Sequence, residues 1–160
     1  MSPPRQLLTA AFVAFVAGAI HVGQRYAAMF AVDIFDLPLS DITIVTFAIN
    51  LLTLLVEPVG VFVVYYVLVR GLDARRQYAG FALASFLGAG IGGFVALFTV
   101  MSTLEFANES VFYTVVGIGE AVVVTGLRIT VAGLAGIGAA AVFAERATEN
   151  GSEPTARVEY

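Results

Sequence analysis

The sequence predicts an all-α integral membrane protein: four transmembrane helices in a compact bundle, with both termini cytoplasmic. Three observations carry this. The 160 residues are 59% hydrophobic and only 12% charged, whereas a soluble domain carries about a quarter charged residues. Mean hydropathy is +0.93. Apolar runs of about 20 residues or more recur four times, the length that crosses a hydrocarbon layer roughly 30 Å thick.

The spans are predicted at about 6–30, 42–69, 78–103 and 112–144, within one transmembrane domain over 1–146. The first run also has the shape of a signal peptide, with Arg5 ahead of an apolar core and Ala17 and Ala19 behind it. Hydrophobic character resumes after Arg25, however, and removing the run would leave mismatched termini, so it is read as a span. The second run follows "FDLPLSD", in which Pro38 breaks the chain and Ser40 and Asp41 are candidate N-caps. "RGLDARRQ" separates the second and third runs, with Gly71 as a stop signal. "EFANES" separates the third and fourth, with Asn108 and Ser110 as caps. The fourth run has 33 residues and would reach about 50 Å. It is expected to protrude, to bend near Gly126, or to begin as an interfacial segment. The tail 147–160, polar and interrupted by Gly and Pro, is expected to be disordered.

Charge sets the orientation. Arg5, Arg70, Arg75, Arg76 and Arg146 lie at the N-terminus, the middle loop and the C-terminal end, whereas Asp33, Asp36, Asp41, Glu105 and Glu109 lie in the other two loops. The positive-inside rule then puts both termini and the middle loop in the cytoplasm of a cell membrane. Tyr65 and Tyr66 are expected at the inner aromatic belt and Tyr26 at the outer one. "RGLDARR" loosely resembles the acidic-basic loop of major facilitator transporters in Gly71, Asp73, Arg75 and Arg76. The chain is far too short for that family, and the loop is read as the positive-inside rule at work. All eight basic residues are Arg and the pI is about 4.8, a composition that points to a salt-adapted or high-GC microbial host.

Several function classes lose their support at once. With no Cys and one His, the chain offers no zinc set, no haem ligand pair and no thiol chemistry, so no cofactor or metal is expected. No HExxH, GxSG or paired intramembrane Asp is present, and Ser85 has no evident base, so enzyme activity is not expected. No basic patch supports nucleic-acid binding. The expected partners are the lipid bilayer and either a second copy or another membrane protein.

Candidate chemistry lies on the second span. Thr46, Asn50, Thr53, Glu57 and Gly60 are spaced four, three, four and three residues apart, which puts them on one helical face. Beyond Gly60 the face continues as Val64, Val67 and Leu68, so the polar stripe enters from the outer side and ends near mid-membrane. Pro58, directly after Glu57, deprives the carbonyl of Leu54 of its helical donor. His21 and Arg25 lie one turn apart on the first span, and Glu120 and Arg128 lie on the fourth. A charge at the bilayer centre costs about 2.5–3.5 kcal/mol on insertion scales, so such groups pair or face water. Two readings follow. In one, the stripe lines an outward-facing pocket centred on Glu57, with Arg128, His21 and Asn50 as partners, for a small ligand, a proton or an ion. In the other, Glu57 pairs with Arg128 and Glu120 with Arg25, fixing helix packing in a structural or accessory subunit.

Small residues mark the packing faces. The third span holds the ladders Ser85, Ala89, Gly93 and Gly88, Gly92, Ala96. The fourth holds Gly119, Gly126, Gly133 and Ala140 at seven-residue intervals. Such spacing lets helices approach closely, and the third span is expected to pack tightly on the fourth through Gly88, Gly92, Gly93, Gly126 and Gly133.

Overall fold

The computed structural model describes residues 3–27, 38–70, 74–103 and 111–151, and among these described residues the regular structure is four α-helices. Apolar segments of this length must satisfy their backbone internally wherever water is scarce, and the helix does so within each segment.

Helix α1 runs Pro3–Arg25, starting earlier than expected because proline is tolerated in a first turn, where its missing N–H costs nothing. It closes where Tyr26 N–H donates to the Gly23 carbonyl at 3.2 Å. Residues 28–30 of the expected span fall outside the described residues. Helix α2 runs Leu39–Val69, continuous through Pro58. Its cap is Pro38 rather than Ser40 or Asp41: the Pro38 carbonyl accepts from Asp41 N–H at 2.9 Å and from Ile42 N–H at 3.2 Å. The two expected caps sit inside the first turn, where the Asp41 carboxylate favours the positive end of the helix dipole. At the other end Arg70 N–H reaches the Val67 carbonyl.

Helix α3 runs Ala74–Thr103, because the polar residues ahead of its apolar run are good helix formers. Helix α4 runs Val111–Gly151, 41 residues and about 60 Å, uninterrupted at Gly126 where a bend was one expectation. It also runs five residues into the segment expected to be a disordered tail. Glu, Arg and Ala favour the helix whether or not the segment is apolar, and Gly151 supplies the stop. The expected signals at Gly71, Asn108 and Ser110 and the remaining tail lie outside the described residues.

Among the described residues, three stretches are long and apolar enough to cross a membrane: Pro4–Arg25, Gln77–Thr103 and Val115–Arg146. In α2 the apolar pieces are shorter, Asp41–Leu51 and Glu57–Val69. All four helices expose large apolar side chains outward, such as Leu8, Phe47, Val67, Leu83, Phe98 and Val131. A surface of this kind suits hydrocarbon rather than water.

The most extensive interface joins α1 to α3, followed by α3 with α4 and α2 with α4, while α1 meets α2 and α4 less broadly. Around the bundle the order is therefore α1, α3, α4, α2. This corrects the expected glycine pairing. A Cβ on Gly88 would strike the Ala11 carbonyl, and one on Gly92 the Phe15 carbonyl, so this ladder packs on α1 and not on α4. The physical reason is a second small-residue ladder on α1, Ala10, Ala14 and Gly18, all buried, which matches it. Gly93 lies between Val22 of α1 and Ala121 of α4. A Cβ on Gly126 would come within 2.9 Å of the Phe86 ring of α3, and one on Gly133 within 2.8 Å of the Tyr65 ring of α2.

Tyr65 is in the core and not at a surface belt. It is fully buried, and its hydroxyl donates to the Ala10 carbonyl at 2.9 Å and lies 2.7 Å from Ser85 Oγ. Ser85 in turn donates to the Phe81 carbonyl at 2.6 Å. One phenol thus ties α2 to both α1 and α3. Tyr66, half-buried, packs edge-on against Phe143.

Candidate functional site

α1 meets α2 less broadly than it meets α3. Among the described residues, three polar ties cross between α1 and α2. Gln6 Nε2 donates to the Leu68 carbonyl at 3.2 Å, Tyr65 donates to the Ala10 carbonyl, and His21 Nδ1 lies 2.9 Å from Glu57 Oε2. Since α1 and α2 run antiparallel, the ties stand at successive depths, and an open groove lies between the second and third.

That groove has a volume of about 410 Å³. Its walls are Phe12, Val16 and Ile20 of α1 and Gly60, Val61 and Val64 of α2, with Glu57 at one end. Phe12 is 65% exposed, Ile20 52% and Val64 39%, so the groove opens sideways on the bundle surface. Beyond the His21–Glu57 tie lies a second chamber of about 360 Å³, bounded by His21, Arg25, Asn50, Leu54 and Arg128. Gln24 and Thr53 line both spaces. Adjoining at these two residues, the spaces make up the α1–α2 cleft, with the ionisable side chains His21, Arg25 and Arg128 around the chamber and apolar ones along the groove. Each volume falls in the usual range of ligand sites, about 300–1,000 Å³.

Glu57 occupies the junction. Its side chain is 5% exposed. Oε2 faces His21, whereas Oε1 is sealed from solvent and, among the described residues, has no hydrogen-bond partner. A buried acceptor left unserved costs about 1–3 kcal/mol. One turn back, the Leu54 carbonyl has lost its helical donor to Pro58, and Leu54 borders the outer chamber. The segment therefore keeps a sealed carboxylate oxygen without a donor one turn from a carbonyl stripped of its usual one. Thr53 is no help to either, because its hydroxyl donates back to the Ile49 carbonyl at 2.7 Å.

The other predicted residues distribute as follows. Arg25 Nη2 lies 3.2 Å from Glu120 Oε1, both side chains 53% exposed; a pair so open to solvent contributes little, about 0–1 kcal/mol. Arg128 does not meet Glu57. It is half-buried in the outer chamber, and among the described residues no ion pair or hydrogen bond reaches it. Counting residues places side chains by depth, but which helix neighbours which is a tertiary fact, and α2 presents Glu57 to α1 instead of α4. Asn50 is exposed at the chamber wall. Thr46 lines neither space, and its buried hydroxyl has no partner.

Sequence reasoning missed the Tyr65–Ser85 link. The small ladder of α1 facing Ser85 was the signal for it, since only a helix that close leaves Tyr65 a backbone acceptor. The partner Ser85 gains is a phenol and not a base, so no nucleophile–base arrangement forms there. Among the described residues no group of three His, Cys, Asp or Glu converges as a metal site.

No protein-family model matches the chain, and neither curated proteins nor solved structures supply a match.

Proposed function

We propose that this is a four-span membrane protein whose α1–α2 cleft binds a small ligand, with Glu57 as the central group. In this reading α2 crosses the bilayer as well, its one interior acid being met by His21, and both termini lie on the cytoplasmic side, as the Arg distribution favours. The observation that carries the reading is Glu57 itself, an interior acid tied to His21 through one oxygen and lining the groove at the end next to the chamber. Intramembrane acids of this kind mark binding sites or proton paths. Past Glu57 the cleft is apolar down to Phe12 and Val64, which favours binding over conduction.

A second reading has its own support. Glu57 and Glu120 each meet a basic residue within the chain, His21 and Arg25 respectively, as expected of a structural subunit whose charges only fix packing.

The chain has no Cys, so single cysteines report access cleanly. In intact vesicles, Asn50→Cys and Thr53→Cys are expected to react with a membrane-impermeant maleimide added from the outer side. Val59→Cys, 60% exposed on the bundle exterior, is expected to react only with a membrane-permeant one. If Thr53→Cys reacts no faster than Val59→Cys, water does not enter the cleft and the structural reading stands.

A further inference from the structure

We infer that the occupant of the cleft is a membrane lipid with an acidic headgroup, its phosphate on Arg128 and one apolar chain in the groove; this rests on the pocket reading above. Charge selects the headgroup. Among the described residues Arg25 is matched by Glu120 and Glu57 by His21, and no acid there compensates Arg128. A half-buried guanidinium without an anion is unfavourable, and its fork of donors fits a phosphate bidentately.

Shape selects the rest. The groove opens sideways between Phe12 and Ile20 on α1 and Val64 on α2, so its occupant enters from the hydrocarbon side without crossing water. A soluble anion would fill the chamber and leave the groove empty; a hydrocarbon chain alone would leave Arg128 unmet. A lipid satisfies both, because chamber and groove adjoin, with Gln24 and Thr53 in the wall of each. Gly60 keeps the groove open: a Cβ there would meet nothing within 4 Å.

The test is native mass spectrometry of the full chain released from nanodiscs. The discs hold equal amounts of phosphatidylglycerol and digalactosyldiacylglycerol, which lacks the phosphate, with identical acyl chains. Wild type is expected to retain one phosphatidylglycerol with about tenfold preference, the scale of one charge-assisted contact. Arg128→Gln is expected to bring that preference within about twofold, whereas Arg70→Gln, exposed at the opposite end of α2, leaves it unchanged. Gly60→Leu places a side chain in open space, so the fold is kept while retention of both lipids falls. Equal retention of the two lipids by wild type, a preference surviving Arg128→Gln, or a dimer carrying no lipid each overturns the inference. In those cases labelling at Thr53→Cys separates the outcomes, since a water-filled cleft keeps the pocket reading and discards only the lipid.

Discussion

Removing either member of the His21–Glu57 pair should have unequal effects on stability. Glu57→Leu eliminates the contact to His21, a loss of about 0.6–1.7 kcal/mol for a polar contact between helices in a membrane. It also eliminates the unserved Oε1, which returns about 1–3 kcal/mol. The His21 ring left behind is 15% exposed and borders the outer chamber, where it can be resolvated. The two effects offset, and Glu57→Leu is expected within about 1 kcal/mol of wild type. His21→Leu behaves differently. It leaves both oxygens of a carboxyl 5% exposed without partners, a loss of about 1–3 kcal/mol, rising to 3–5 if the group is ionised. The double variant removes the stranded group and should recover most of that loss. The assay is unfolding of the purified protein in mixed dodecyl maltoside and SDS micelles, followed by helical circular dichroism. Equal damage from the two single variants, or a double variant no better than His21→Leu, would refute the reasoning and make the pair a mutual structural bridge.

Glycine substitutions in the same assay should split by sign. Gly92→Ala drives a methyl group into the Phe15 carbonyl and is expected to destabilise by about 1–3 kcal/mol, whereas Gly60→Ala meets open space and should gain roughly 0.5–1 kcal/mol from helix propensity; a loss at both positions would contradict the α1–α3 close approach. Tyr65→Phe removes the hydroxyl that links three helices and should destabilise by about 0.6–1.7 kcal/mol, and an unchanged midpoint would mean the link contributes nothing. Cysteine labelling at Thr53 and lipid retention through Arg128 complete the set.

Helix existence was readable from apolar length, because a segment that long has few alternatives to intrachain hydrogen bonding. The shared face of Thr53, Glu57 and Gly60 was readable too, since spacing on one helix is a local property, and all three line the groove. The neighbour of that face was not readable. Arg128 and His21 sit at similar depth, and only the order of helices around the bundle decides between them. That order follows from close approaches at small residues, Gly88 and Gly92 against the Ala11 and Phe15 carbonyls and Gly18 against the Ala89 carbonyl, a pairing visible only when two segments are compared with each other. Tyr65 failed for the same reason: beside Tyr66 it reads as a surface aromatic, and only Ser85 and the Ala10 carbonyl, far away in sequence, make it core. Helix ends went astray where polar residues with good helix propensity continue past the apolar run, as at Ala74 and Gly151.

Helix α1 turns two unlike sides to its neighbours. Toward α3 it offers Gly18 and the carbonyls of Ala11 and Phe15, and the backbones come nearly into contact; toward α2 it offers Phe12, Val16 and Ile20, which line the groove. Mutational drift on α1 is accordingly constrained on both sides at once: enlarging Gly18 parts α1 from α3, and resizing the groove residues changes the volume of the cavity. Of the four helices, α1 is the one in which the stability of the bundle and the volume of its cleft are set by alternate residues.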